Sequence, residues 1–285
     1  MKHFFIVPLC MVSLLLSCNQ NNEKVYHYEE YGLNCPVKSI KVTTYEAESK
    51  FGDIVKGELE WDGHYLAKFN SVGNIELIQE FDDEGDLTEV VKYKYDEFNN
   101  ATGIYTYNED GECELSFINE YKGGHLVKQT FTNYYKSDVE TTITEFFREG
   151  ERVIETKAFV NNRLSSSTKY SKYDKSGSEW ITYDENGQEI SKGVQKLNNK
   201  GRIKEHCDND NCHEITWNEK NLPIHLVNAF PYHNTMISWY VQEESSEYSM
   251  EYEYDDKGNW VKQIVFECDG DFKTPITISE RYITY

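Results

Sequence analysis

Polar and apolar positions recur along this chain with a short period that is typical of β-hairpins. An aromatic residue or Leu is followed by Asp or Asn, then by two variable residues, and then by Gly or Asn. The pattern begins with Phe69-Asn-Ser-Val-Gly73 and occurs nine times, whereas about one match is expected by chance. The early copies lie 12, 14 and 12 residues apart. Each unit therefore leaves roughly eight residues for a strand, which is a usual strand length.

The chemistry of the repeat predicts a tight turn. An Asp or Asn side chain at the first turn position accepts a hydrogen bond from a backbone N–H two residues on. The last position then needs a left-handed backbone, which Gly and Asn adopt at the lowest cost. The residues predicted to fill that structural position are Gly73, Gly85, Asn99, Gly111, Gly177, Gly187, Gly201, Asn221 and Gly258.

The segments between the turns have the composition of strands. Residues 141–147 and 275–285 are rich in β-branched and aromatic side chains. No segment has a helical period over ten residues, and several strands carry apolar residues on both faces, as in 260–267. We therefore predict an all-β fold, an antiparallel meander of short hairpin repeats that forms an extended, curled or spiralling sheet.

The N-terminus predicts a lipid anchor. Residues 4–16 form an apolar run that is shorter than the roughly 20 residues of a transmembrane helix and fits a signal peptide. The run ends in Leu-Leu-Ser-Cys18, which resembles the lipobox of bacterial lipoproteins. We expect residues 1–17 to be the signal peptide, Cys18 the lipidated residue and 18–24 the tether. The predicted location is the bacterial cell envelope, with the outer membrane favoured and the facing side left open.

The rest of the chain divides by the presence of the repeat. Residues 25–66 lack the motif and are predicted to form an N-terminal β cap that covers an exposed sheet edge. Residues 67–285 are predicted to be the hairpin repeat region, and no change of composition divides them further.

The charge of the chain restricts its partners. There are 50 acidic and 29 basic residues in 285, which gives a formal net charge of −21. Such a chain repels nucleic acid and acidic polysaccharides. Tyr, Trp and Phe make up 14% of the residues, and exposed aromatic rings supply contact area for ligands. We expect a protein or neutral-glycan ligand, and no nucleic acid.

The repeat also resembles a known family. Residues 252–260 read Tyr-Glu-Tyr-Asp-Asp-Lys-Gly-Asn-Trp, and 93–100 are an imperfect copy. This is similar to the YD repeats of the RHS family and of RHS/YD-repeat lipoproteins found in Bacteroidetes. In large RHS proteins such repeats spiral into a β shell around a toxin. A second resemblance, carried by residues 183–187, is to MORN-like and antitoxin-type hairpin repeats.

One cluster of residues has metal-binding or redox chemistry. His206, Cys207, Cys212 and His213 lie within eight residues, around an Asp/Asn-rich turn. The pattern favours a disulfide between Cys207 and Cys212, because the two cysteines flank a turn in an oxidising compartment. Free thiols and a zinc site remain the alternatives. We expect no metal and no cofactor.

The sequence contains no motif of a hydrolase, a metalloprotease or a phosphate-binding loop. We therefore expect a non-catalytic envelope lipoprotein whose repeat sheet is a binding or scaffold surface for protein or glycan. The alternative, suggested by the RHS and antitoxin resemblances, is an immunity-type partner of a polymorphic toxin.

Cys18→Ala should abolish lipidation. The variant lacks the thiol that receives the diacylglycerol, so we expect no incorporation of labelled fatty acid and release of the protein from the membrane fraction. Retention of the variant in that fraction would contradict the anchor.

Overall fold

The computed structural model describes residues 27–134, 139–209, 211–231, 239–241 and 246–285. Within these ranges a helix of one turn precedes a long series of strands. The elements are α1 (His27–Glu30), β1 (Ser39–Lys50), β2 (Asp53–Leu59), β3 (His64–Phe69), β4 (Ile75–Phe81), β5 (Leu87–Tyr95), β6 (Ala101–Asn108), β7 (Cys113–Lys122), β8 (His125–Asn133), β9 (Glu140–Glu149), β10 (Arg152–Val160), β11 (Arg163–Asp174), β12 (Gly177–Asp184), β13 (Glu189–Leu197), β14 (Ile203–Asp208), β15 (Asn211–Trp217), β16 (Pro223–Val227), β17 (Ala229–Pro231), β18 (Trp239–Val241), β19 (Glu247–Tyr254), β20 (Trp260–Asp269) and β21 (Phe272–Thr284). The described segments contain no helix long and apolar enough to cross a membrane.

Eighteen strands close into a barrel: β1, β3 to β16, and β19 to β21. Each pairs antiparallel with the next, and β21 pairs with β1 over eight positions, from Ser39↔Thr284 to Glu46↔Thr277. The all-β antiparallel meander is confirmed. The prediction of an extended, curled or spiralling sheet is wrong, because the first and last strands of the ring satisfy each other's backbone groups.

Two pieces of strand lie outside the ring. Among the described residues, β2 pairs with β1 alone, alongside the second half of that strand. β17 and β18 form a separate two-stranded sheet within the connection from β16 to β19. The ring itself is therefore built from consecutive hairpins, interrupted at these two places.

The resemblance to RHS/YD-repeat proteins, and to MORN-like and antitoxin-type repeats, is wrong for this chain. Residues 93–100 and 252–260, which carried the YD resemblance, form the turns from β5 to β6 and from β19 to β20. These hairpins belong to a closed ring and not to a spiralling shell. The motif determines a local turn, and the same turn serves different arrangements of strands.

Eight of the nine repeat turns share one pattern of hydrogen bonds. In the turn that begins at Asp96, Oδ1 of Asp96 accepts the N–H of Asn100 at 2.8 Å, and the N–H of Asn99 donates to the Asp96 carbonyl at 3.0 Å. The others begin at Asn70, Asp82, Asn108, Asp184, Asn198, Asn218 and Asp255. The ninth is tighter, since Asp174 pairs directly with Gly177. All nine Gly and Asn positions singled out in the sequence have positive φ, from 60° at Asn99 to 142° at Gly177.

The outer face of the wall carries charged side chains along its strands. Side chains alternate between the two faces of a strand, so residues next to the buried positions point outward. Outward residues form cross-strand ion pairs, and lysines lie over tyrosine rings. These contacts are Glu120–Lys128 (3.1 Å), Lys196–Glu205 (2.7 Å), Glu253–Lys262 (2.8 Å), Lys92 over Tyr107 and Lys94 over Tyr105. Exposed apolar side chains, among them Ile118, Phe147 and Tyr282, lie on the same face.

Residues 27–38, which we call the plug, cross one end of the barrel. The N–H of Tyr28 donates to the carbonyl of Gly73, in the β3–β4 turn, at 3.0 Å. Arg202, in the β13–β14 turn, donates through Nη2 to the carbonyl of Glu29 at 3.0 Å. Ten strands separate these two turns in one direction around the ring and eight in the other. Adjacent plug residues therefore connect opposite sides of the barrel.

An apolar cluster forms where the plug meets the wall. The ring of Tyr31 meets those of Tyr65 and Phe69 edge-on, with centroids 6.3 and 5.9 Å apart. Ile40 and Val42 of β1 are buried in the same cluster. Burial of these side chains removes apolar surface from water and fixes the plug to β1 and β3.

A buried arginine joins the last strand to the plug. Arg281 of β21 is 5% exposed, and its Nη1 donates to the carbonyl of Tyr31 at 2.9 Å. Its guanidinium carbon lies 3.5 Å from the centroid of the Trp260 ring. Burial lowers the pKa of Arg281, and the carbonyl and the ring face offset part of the lost hydration.

Gly73→Ala should destabilise the protein more than Gly85→Ala. Both residues occupy the same turn position, with φ of 91° and 87°, so each alanine costs about 1 kcal/mol of backbone strain. A Cβ at Gly73 would lie 2.3 Å from Cδ1 of Tyr28, whereas the space around Gly85 is open. Overpacking against the plug adds about 1–3 kcal/mol. Equal losses in urea unfolding would argue against this contact.

Candidate functional site

The inner face of β12 to β15 carries an aromatic and imidazole ladder, which we call the platform: Trp180, Gly193, His206 and His213. The rings of Trp180 and His206 have centroids 5.4 Å apart. The rings of His206 and His213 are 6.0 Å apart and nearly parallel, at 10°. Three rings therefore follow one another across neighbouring strands of the wall.

Gly193 allows this arrangement. It is the cross-strand partner of Trp180, and a Cβ at Gly193 would lie 2.2 Å from Cζ2 of Trp180. The indole thus lies over the backbone of β13, in the space where a side chain would otherwise stand. The absent side chain brings Trp180 within reach of His206, two strands away.

The two imidazoles are held differently. Nδ1 of His213 lies 2.7 Å from the carbonyl of Asn228, so Nδ1 carries the proton and Nε2 is left as an acceptor. His206 is half-buried, and burial lowers its pKa. The neighbouring His213 lowers that pKa further, against an opposing effect of Asp208. His206 is therefore uncharged at neutral pH, and a neutral ring is the better stacking surface for an uncharged ligand.

The sequence cluster that includes these histidines is divided between the two faces of the wall. Cys207 and Cys212 are cross-strand neighbours joined by a disulfide, while His206 and His213 stack in the lumen. Alternation along the strand makes the four residues face opposite ways, so they cannot surround one zinc ion. In the described ranges, no three His, Cys, Asp or Glu side chains are grouped to hold a metal.

The opposite part of the inner wall is acidic. Glu80 of β4 and Glu89 of β5 are cross-strand neighbours. Burial raises the pKa of Glu80 to about 7, and the charges of Glu89 and Asp62 add to the effect. Burial, followed by the charge of Glu114, also raises the pKa of Glu89. Further negative charge is therefore costly on this side of the lumen.

A recess of about 440 Å³ lies on β14 and β15 nearer the plugged end, and the platform residues do not line it. β14 and β15 pair from Asp208↔Asn211 back to Glu205↔Glu214, and beyond that pair the two strands separate. The recess lies in this gap. Lys204, Ile215 and Trp217 line it together with asparagines of the adjoining turns. Nε1 of Trp217 donates to the Ile203 carbonyl at 2.8 Å and so spans the gap.

Of the residues singled out in the sequence, His206 and His213 belong to the platform, and the others lie elsewhere. Cys18 lies outside the described residues, and the nine turn positions belong to the hairpin turns at the two ends of the barrel. The approach of Trp180 to these histidines was missed, because Trp180, Gly193 and His206 are far apart in sequence. Their relation follows from strand register, and register becomes known only once neighbouring strands are paired.

No protein-family model matches the chain, and no curated protein matches it. The structure is similar to those of two porin-like proteins, from Bacteroides uniformis and Bacteroides vulgatus. For the first, identity is 10% and the TM-score 0.40, over 87% of this chain and 96% of that one. For the second, the values are 12% and 0.37, over 88% and 99%. A DUF1329 family protein from Desulfovibrio piger aligns at 8% identity and a TM-score of 0.19, over 97% and 92%. No function is carried over from likenesses this distant.

Two half-buried groups, His27 and Glu80, have pKa values displaced in opposite directions. His27 of the plug packs against the rings of Tyr93 and Tyr95, and its Nδ1 accepts the N–H of Ile75 at 3.2 Å. Burial lowers the pKa of His27 to about 4. The stability contributed by neutral His27 is complete above about pH 6.5 and is lost as the pH falls toward 4. Protonated Glu80 behaves in the opposite way, because its stabilisation is complete below about pH 4.5 and is lost as the pH rises toward 7.

Single variants should separate the two effects. We expect Glu80→Gln to raise the free energy of unfolding at pH 8 by on the order of 2 kcal/mol, with little change at pH 4.5. His27→Gln should do the reverse, with a gain near pH 4 and little change at pH 8. Urea unfolding across this pH range measures both. A gain for Glu80→Gln that is equal at both pH values would contradict the burial of a titrating carboxyl.

Proposed function

We propose that the protein is a non-catalytic binding protein of the cell envelope that holds a neutral glycan in the lumen of the barrel. The observation that carries the proposal is the platform. The rings of Trp180 and His206 lie next to each other on the inner wall, tilted by 32°, and His206 is nearly parallel to the buried ring of His213 behind it. The apolar faces of sugar rings stack on aromatic surfaces of this kind, and imidazole nitrogens bind their hydroxyl groups.

The charge of the lumen favours a neutral glycan over an acidic one. Glu80 and Glu89 line the wall, and burial already raises the pKa of each. The chain as a whole has a formal charge of −21. A uronic acid or phosphate would meet repulsion both at a distance and inside the lumen.

The architecture favours holding a ligand over passing it through. The plug crosses one end of the barrel through its bonds to Gly73 and Arg202. The outer wall carries ion pairs such as Lys196–Glu205, and a lysine at the middle of a bilayer costs about 2–4 kcal/mol. We propose that the wall stands in water and that the ligand enters by the end opposite the plug.

The envelope location is inferred from the N-terminus, where the apolar run ends in Leu-Leu-Ser-Cys18. Residue 27, the first residue of the plug, lies at the plugged end of the barrel. A tether to a lipid at Cys18 would therefore leave from that end. The entrance would then face away from the membrane. The immunity-type alternative depended on the RHS resemblance and is not proposed.

Trp180→Ala should weaken glycan binding at least tenfold, because it removes the largest ring of the platform. A panel of neutral and acidic oligosaccharides titrated into the protein by calorimetry measures this. Trp61→Ala is the matched control, since Trp61 is 74% exposed in the β2–β3 connection and should not affect binding. Equal binding by Trp180→Ala, tight binding of an acidic glycan, or cleavage of a bound oligosaccharide detected by mass spectrometry would contradict the proposal.

A further inference from the structure

A two-stranded ribbon extends beyond the barrel wall. The pairing of β1 with β21 ends at Glu46↔Thr277, while β1 continues to pair with β2 as far as Lys50↔Asp53. Phe51 and Gly52 form the two-residue turn at the tip. We call residues 47–62 the ribbon; they comprise the far part of β1, β2 and the connection to β3.

The tip of the ribbon has an unusual backbone. Among the described residues other than glycine, seven have positive φ; six are asparagines and the seventh is Phe51, at 57°. A bulky side chain is strained in this region, whereas Asn or Gly adopts it readily. The Phe51 side chain is also fully exposed, at 108%. The strain is therefore not offset by packing within the chain, and strain of this kind is concentrated at functional positions.

The ribbon also has a free backbone edge. In a two-residue hairpin the closing pair, Lys50↔Asp53, exchanges its hydrogen bonds, and the bonded pairs then alternate along the strands. Ile54 and Lys56 consequently direct their N–H and C=O groups away from β1. Among the described residues, no strand pairs with that edge. Free edges of this kind bind extended peptides by adding a strand.

The ribbon is acidic. It contains five carboxylates and two lysines, and both lysines are already paired, Lys50 with Glu48 at 2.5 Å and Lys56 with Glu280 at 2.9 Å. Asp53 lies on β2 next to the tip. Burial, followed by the charges of Glu46 and Asp62, raises the pKa of Glu60 at the base. A second copy of the ribbon would be repelled, whereas a basic strand would be attracted.

We propose that the ribbon is a docking strand for another protein: an extended segment rich in lysine or arginine adds along β2, and Phe51 packs against its apolar side chains. Backbone hydrogen bonds to Ile54 and Lys56 give the affinity. The unpaired carboxylates select the charge of the partner.

The full-length protein is tested with a fluorescent nine-residue peptide in which lysine alternates with valine, and binding is followed by anisotropy. Ile54→Pro removes an edge N–H but no bond to β1, and should weaken binding at least fivefold. Phe51→Asn should also weaken binding at least fivefold while raising the urea midpoint, because asparagine relieves the strain. Phe98→Asn is the control, since Phe98 is 69% exposed in the β5–β6 turn, without positive φ; it should change neither quantity.

Two further peptides test the mode of binding. A version with glutamate in place of lysine, and one N-methylated at alternate amides, should both fail to bind. Equal binding of the N-methylated peptide would mean that the lysine peptide is held by the negative charge of the protein and not by backbone hydrogen bonds to β2. That result would overturn the proposal. Equal binding by Ile54→Pro, or dimerisation of the wild type that Ile54→Pro abolishes, would overturn it as well. None of these outcomes depends on whether a glycan binds in the lumen.

Discussion

The hydrogen bonds between β1 and β21 are the constraint on which the rest of the structure depends. These strands lie at opposite ends of the described chain, yet they pair over eight positions, from Ser39↔Thr284 to Glu46↔Thr277. Without that pairing, the sheet would present two free edges. With it, one face of every strand of the ring is enclosed. The plug, which directly precedes β1, spans the end of the barrel at which Ser39 of β1 pairs with Thr284 of β21.

Closure converts a simple alternation of side chains into two different surfaces. Charged pairs such as Lys196–Glu205 lie outside, while Trp180 and His206 lie inside. Neighbours in sequence are thereby separated, as His206 and Cys207 are, and distant residues are brought together. A chain whose strands carry apolar residues on both faces is therefore suited to a barrel with an enclosed inner face and a partly aromatic outer one.

The closed end and the inner wall also explain the displaced pKa values of two half-buried groups, His27 and Glu80. His27 is protonated less readily because it packs against the tyrosine rings of β5, and Glu80 is protonated more readily because the inner wall gives it little water. Their effects on stability oppose each other between about pH 4.5 and 6.5.

The sequence alone determined the local structure. The Asp or Asn and the Gly or Asn of each repeat dictate where strands end and how hairpins turn, because side-chain hydrogen bonds and positive φ are properties of a few adjacent residues. It could not determine whether the meander spirals or closes, since the same turn at Asp255 serves both arrangements. Closure, the plug's contact with Gly73 and the approach of Trp180 to His206 across Gly193 were decided by tertiary structure. Each depends on pairing between strands far apart in sequence, and such register leaves no local signal in the chain.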